Sequence, residues 1–165
     1  MNKLIKNIAC TVIAFTLITG VFTGCKNNKA VTTVELPAYT SVKDPDGALP
    51  QKGTVGDMEY EILKKEEFGC YNKERGYYQD QLEQLDTPYF IVISAGLHLR
   101  EDAEINIVDL GMQGSTLVIV VEDYEGTGAK NKELDCPCAV LEVNSIPEDI
   151  LIVSTTGEQL EKLVE

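Results

Sequence analysis

A mainly β domain is the fold this sequence predicts: a compact antiparallel β-sandwich or partly closed barrel carrying one or two short helices. Three observations point to it. Tyr89 to Ser94 and Leu117 to Val121 are unbroken aromatic and β-branched runs of strand length. Proline and glycine bound them, with Pro88 before the first run, Gly96 after it and Gly126 and Gly128 beyond the second. The gaps between successive apolar runs are too short for crossover helices, so hairpins and mainly antiparallel pairing are expected.

The elements follow in order. Tyr60 and Ile62 alternate with Glu59, Glu61 and Lys64, as in a half-buried strand beginning near Met58. Phe68 to Tyr71 reads as a further short strand. Gln79 to Leu85 reads as a short amphipathic helix, since Leu82 and Leu85 lie three apart and Thr87-Pro88 ends the segment. Tyr89–Ser94, Glu104–Leu110, Ser115–Tyr124, Cys138–Val143 and Ile150–Val153 read as strands. Gly157 to Val164 is expected to close the chain as a helix with Leu160 and Leu163 on its apolar side.

Ahead of this β-rich domain (57–165) the composition is different. Lys3 and Lys6 precede an apolar run from Ile8 to Phe22 that ends at Thr23-Gly24-Cys25 and the polar stretch Lys26 to Lys29. A basic start, an apolar stretch short for a membrane span and a small residue before the break describe an export signal. The cysteine after Gly24 resembles the lipid-attachment position of bacterial lipoproteins, with Phe22 where Leu is usual. Residues 1–24 are therefore expected to be a lipoprotein signal peptide and Cys25 the lipidated residue. Residues 25–56 are expected to be a lipidated terminus and flexible tether, because Pro37, Pro45, Pro50, Gly47, Gly53 and Gly56 interrupt regular structure; Val31 to Leu36 offers at most a short strand. Such a chain sits outside the cytoplasm, lipid-anchored to the bacterial cell membrane or the outer membrane.

Charge narrows the partners. The chain carries 14 basic and 27 acidic residues for a net charge of −13, and loss of residues 1–24 removes only Lys3 and Lys6 from that balance. An acidic surface of this kind excludes nucleic acid, whose phosphates require basic contacts. It also leaves lipid on Cys25 as the membrane link, which is firm where two or more acyl chains are buried. Cys70, Cys136 and Cys138 remain in the domain, an odd number that permits one disulfide between Cys70 and either of the others. The single residue between Cys136 and Cys138 disfavours a local bridge. One histidine, His98, with three scattered thiols is no zinc pattern.

No constellation for catalysis emerges, and neither a metal nor a cofactor is expected. His98 is the sole candidate base, and its setting between Leu97 and Leu99 beside a turn reads as a loop histidine. Asp123 to Gly128 supplies oxygen donors and flexibility but lacks the spacing of an EF-hand, and reads as a solvated loop.

From Tyr89 to Gly96, through Glu104–Ile107 and Leu117–Glu122, to Asp135-Cys136-Pro137-Cys138-Ala139-Val140-Leu141-Glu142-Val143, the chain resembles the PrcB C-terminal domain family. That family is named for a subunit of a surface protease complex in spirochaetes. The resemblance covers roughly half of the chain beyond Cys25 and implies a noncatalytic accessory role around proteases. After the glycine at Gly96, members commonly carry a glycine-rich turn; here His98, Leu99, Arg100, Glu101, Asp102 and Ala103 replace it. His98, Arg100, Glu101 and Asp102 are accordingly the expected recognition loop. The function expected is a noncatalytic, lipid-anchored domain that binds an extracytoplasmic protease or another envelope protein. The alternative is an envelope structural or small-ligand-binding lipoprotein.

Overall fold

In the computed structural model the described residues are 31–64, 68–81 and 88–164, and within them the chain forms twelve strands. The longest hairpin joins β7 (Glu104–Gln113) to β8 (Thr116–Tyr124) through Gly114, whose φ of 62° suits the two-residue turn. To this hairpin are added β1 (Thr40–Ser41) on one side, and β11 (Asp149–Ser154) followed by β12 (Gln159–Leu160) on the other. The second sheet runs β2 (Lys52–Val55), β3 (Met58–Ile62), β10 (Cys138–Val143), β5 (Tyr89–Ser94), β4 (Gly76–Gln81). A separate two-stranded ribbon pairs β6 (His98–Arg100) with β9 (Lys130–Asp135).

The two five-stranded sheets pack as a sandwich and do not close into a barrel. Ile91, Ile93, Leu141 and Val143 from one sheet meet Ile105, Leu110, Leu117, Ile119, Val121 and Ile152 from the other. Full burial of each such side chain stabilises the fold by about 1.5–3 kcal/mol. Pairing is antiparallel except between β8 and β11, which run parallel from Thr116/Asp149 to Val121/Ser154. The chain leaves β8, visits the ribbon and the opposite sheet, and returns, a route long enough for a parallel neighbour.

A bulge at Val108 sets the facing of β7. The register passes from Ile107↔Val121 to Asp109↔Val120, so the inward positions change from Ile105 and Ile107 to Leu110. Strand β5 is covered on both faces: Ile91 and Ile93 point into the sandwich, while Phe90 and Val92 join Tyr78, Val140 and Leu163 in a second cluster on the outer face. This double burial explains the continuous apolar run of its sequence.

Among the described residues neither expected helix appears. Gln79–Gln81 finish β4, and Leu82 and Leu85 lie outside the described residues. Around the second expected helix, Gln159 and Leu160 form β12, after which Tyr77 donates its amide to the Glu161 carbonyl and accepts from Leu163. Leu160 and Leu163, which read as one helical face, enter opposite sides of a sheet: the first joins the core, the second the outer cluster. Gly76 makes the passage possible, since a Cβ there would collide with the Glu161 carbonyl and Leu163. Phe68 to Tyr71 form no strand; they lie as an irregular strip over the outer face, with Phe68 against Phe90 (5.1 Å between rings) and Tyr71 against Tyr78 (4.3 Å).

The segment expected to be a tether is, from Val31 onward, laid along the sheets. Thr32 and Val34 exchange backbone hydrogen bonds with Gln159 and Gly157, β1 pairs with β7, and β2 forms a hairpin with β3. Asp109 secures this packing by accepting from Tyr39 Oη at 2.8 Å and Ser41 Oγ at 2.6 Å, with Lys43 Nζ at 3.7 Å. Burial, reinforced by Asp109, pushes the Tyr39 phenol up to about 12. Gly111 lets the strand approach, because a Cβ there would strike the Thr40 carbonyl and the Tyr39 ring. The prolines and glycines that read as a linker are thus turns between short edge strands. Asp109→Ala is expected to lower stability by about 1–3 kcal/mol in denaturant unfolding, since it strands two hydroxyl donors. Deletion of residues 26–55 is expected to abolish the cooperative transition; a truncated chain unfolding as cooperatively as the full one would restore the tether.

Candidate functional site

Where β5 ends and β10 begins, the outer face of the second sheet carries a cluster of polar and sulfur side chains. Ser94 and Cys138 are register partners there, and Val92 and Val140 are the next pair along. The strip over this face brings Cys70, and Asn72 follows it into the turn before β4. Three long-range neighbours therefore meet: Cys70 from the strip, Cys136 and Cys138 from the entry to β10, and Ser94 from β5.

Their contacts centre on the Asn72 carbonyl. It accepts from the Cys70 thiol at 2.8 Å and from Ser94 Oγ at 3.2 Å, with Cys136 Sγ at 3.6 Å. Ser94 Oγ also lies 3.3 Å from Cys136 Sγ and accepts from the Gly96 amide at 3.1 Å, so its hydroxyl is fully engaged. Tyr78 Oη approaches Cys70 Sγ at 3.9 Å. All three cysteines are free and half-buried, and they line an open cleft of about 510 Å³ whose other walls include Phe68, Lys73, Glu101, Glu104 and Leu134.

The thiols titrate as a unit. Hydrogen bonding, chiefly from Cys138, lowers the Cys70 thiol below its ordinary range; burial opposes this, and so does the Asn72 carbonyl, because it bonds only the protonated sulfur. Cys138 is raised by its hydrogen bond to Cys70 and by burial, and Cys136 is raised chiefly by burial. Of the three thiols, Cys70 is therefore the one whose surroundings most favour ionisation, while those of Cys136 and Cys138 favour the protonated form.

The expected recognition residues are placed differently from one another. His98 begins the ribbon, its Nε2 3.3 Å from the Ala95 carbonyl and its Nδ1 3.5 Å from Glu125. Arg100 donates a short hydrogen bond to the Gly128 carbonyl. Asp102 accepts from the Thr127 amide at 2.9 Å and the Gly128 amide at 2.8 Å. Gly126 and Gly128 are needed there, since a Cβ at either would meet the Asp102 carboxylate. Arg100 and Asp102 thus fasten the loop after β8, while Glu101 is exposed and turns toward the thiol cleft. Asp123, a candidate oxygen donor in that loop, is held by Arg75 in a two-pronged ion pair at 2.8–2.9 Å.

The ribbon also shows what its sequence concealed. Leu97, Leu99 and Leu134 are 45%, 51% and 51% exposed; Leu99 lies in β6, Leu97 just before it and Leu134 in β9, the strand that pairs with β6. The alternation Leu97-His98-Leu99 was the available signal. Cys25 lies outside the described residues. No family model matches the chain, and no curated protein or solved structure is significantly similar to it.

Backbone hydrogen bonds from Thr127 and Gly128 hold the Asp102 carboxyl below the usual range. A depressed carboxyl contributes stability that is present above its unfolded value and lost as pH falls through the native one. Protection of the Thr127 and Gly128 amides, taken relative to their intrinsic exchange rates, is therefore expected to fall in Asp102→Ala, and in the native chain only as pH drops below the ordinary aspartate range. Glu101→Ala should leave both amides protected; equal effects of the two substitutions would contradict the assignment.

Proposed function

We propose that this chain is a noncatalytic, lipid-anchored β-sandwich that holds a partner protein outside the cytoplasm. The observation that carries the reading is the apolar group Leu97, Leu99 and Leu134 exposed on the ribbon of a strongly acidic chain. Clustered exposed leucines ringed by charge mark a protein-binding surface. Glu101, Glu125, Glu133 and Asp135 supply the acidic surround, so the fitting partner presents an apolar spot bordered by lysine or arginine. Membrane attachment through Cys25 rests on the signal pattern ahead of it. The narrower reading, an accessory to a surface protease, rests on the resemblance along β5, β7, β8 and β10.

Two features favour protein over a small apolar ligand. Large aliphatic side chains fill the space between the sheets, and the thiol cleft is open and bordered by charged residues. His98 is engaged by Ala95 and Glu125 rather than presented to a nucleophile.

The test is cross-linking on intact cells that display the full lipidated chain, compared with Leu99→Asp and Leu134→Asp. The expected result is a partner that cross-links to the native chain, is lost at least about tenfold in either variant, and binds more weakly as salt rises. Undiminished cross-linking in both variants would overturn the ribbon as the binding surface. A protease as the partner would support the accessory role, and a partner of another kind would remove it.

A further inference from the structure

Three half-buried free thiols lining one cleft are not accounted for by binding through the ribbon. A purely structural trio would fill the space as well with alanine or valine. Here, instead, the cysteines line a cleft open to solvent, two of them approach the Asn72 carbonyl, and Cys70 and Cys138 pack on the same outer apolar cluster. Among the described residues no cysteine, histidine or carboxylate group converges in a metal-holding arrangement, so metal chelation is not the chemistry this geometry favours.

We propose that Cys70 and Cys138 form a dithiol–disulfide switch that responds to oxidants of the disulfide class, with Cys136 as the thiol left reduced. Cys70 belongs to the irregular strip and Cys138 to the first position of β10. Closing the bond fastens the strip covalently to the sheet it covers. Cys136 is engaged by the Ser94 hydroxyl, which lies 3.3 Å from its sulfur, and it is not part of the outer apolar cluster that Cys70 and Cys138 share.

The chemistry balances as thiol–disulfide exchange. The Cys70 thiolate attacks one sulfur of the oxidant's disulfide, forms a mixed disulfide and expels one thiolate. Cys138 then gives its proton to solvent and attacks Cys70 Sγ, expelling the second. Two protein thiols become one disulfide, and the oxidant's disulfide becomes two thiols that take up the two protons. Cys70 suits the first step because its neighbours favour its ionised form, and Cys138 suits the second because it bonds Cys70 and packs with it on the same outer cluster and cleft.

The proposal is tested on the full chain carrying Cys10→Ser and Cys25→Ser, in detergent, with oxidised glutathione as the probe. Peptide mapping without reductant is expected to show a Cys70–Cys138 link and an unmodified Cys136. Cys138→Ala is expected to stop at one glutathione on Cys70, whereas Cys136→Ala should oxidise at the rate of the parent chain. Iodoacetamide at pH 6 should label Cys70 at least about tenfold faster than Cys136, since an ordinary thiol is almost wholly protonated there. A Cys70–Cys136 link, a stable glutathione adduct on Cys70 with Cys138 present, or equal labelling of Cys70 and Cys136 would each overturn it. So would three thiols inert to glutathione in the folded chain.

Discussion

One guanidinium ties the two sheets together. Arg75 stands just before β4, at an edge of the second sheet, and grips two carboxylates that belong to the first. Its Nη1 and Nη2 bond Asp123 of β8 at 2.9 and 2.8 Å, and its Nε and Nη2 bond Glu158, beside β12, at 2.9 and 2.8 Å. A third direction is taken by the Ala95 carbonyl at 3.5 Å. The planar fork of arginine can satisfy two carboxylates at once, which a lysine ammonium does not reproduce. Asp123 raises the guanidinium's pKa further, so the charge is fixed at every accessible pH.

Much of the surface chemistry hangs from this tie. Arg75 stands in the turn that begins at Asn72, and Asn72 presents the carbonyl that Cys70 and Cys136 approach. Glu158 fixes the approach to β12, from which the chain crosses Gly76 and drops Leu163 onto the outer cluster. Asp123 fixes the end of β8, whose following loop is then gripped by Asp102 and Arg100. The thiol cleft and the ribbon therefore share one anchor, although they present different surfaces: three thiols in the cleft, exposed leucines on the ribbon.

The strands that build the sandwich were legible because burial on both faces leaves a continuous apolar run, as in β5 and β8, and half-burial leaves alternation, as in β3. The helix expected at Gly157–Val164 was misread for a definite reason. A three-residue spacing of leucines is the mark of a helical face, but at Leu160 and Leu163 it arises from a chain rounding a sheet edge. Residues 31–56 were misread because prolines and glycines mark tight turns as readily as linkers, and Asp109, which holds them, lies far along the chain. For the same reason the thiol cluster was legible only as an open set of pairings: Cys70 and Cys136 are brought together by strand order, which spacing does not encode. Of the loop at His98–Asp102, Arg100 and Asp102 bond the neighbouring loop, while Leu97 and Leu99 beside them are exposed, which the sequence alone did not show.

The central claim is that the Arg75 fork, rather than apolar packing alone, holds the sheets in the arrangement that assembles the cleft. Denaturant unfolding of Arg75→Lys tests it most directly. Lysine keeps the charge and most of the length but cannot bond both carboxylates in pairs. The account predicts a loss of about 1–3 kcal/mol with an unchanged dependence on denaturant, which would mean a less stable fold of the same extent. A variant within about 0.5 kcal/mol of the native chain would contradict it and return the alignment of the sheets to the aliphatic core.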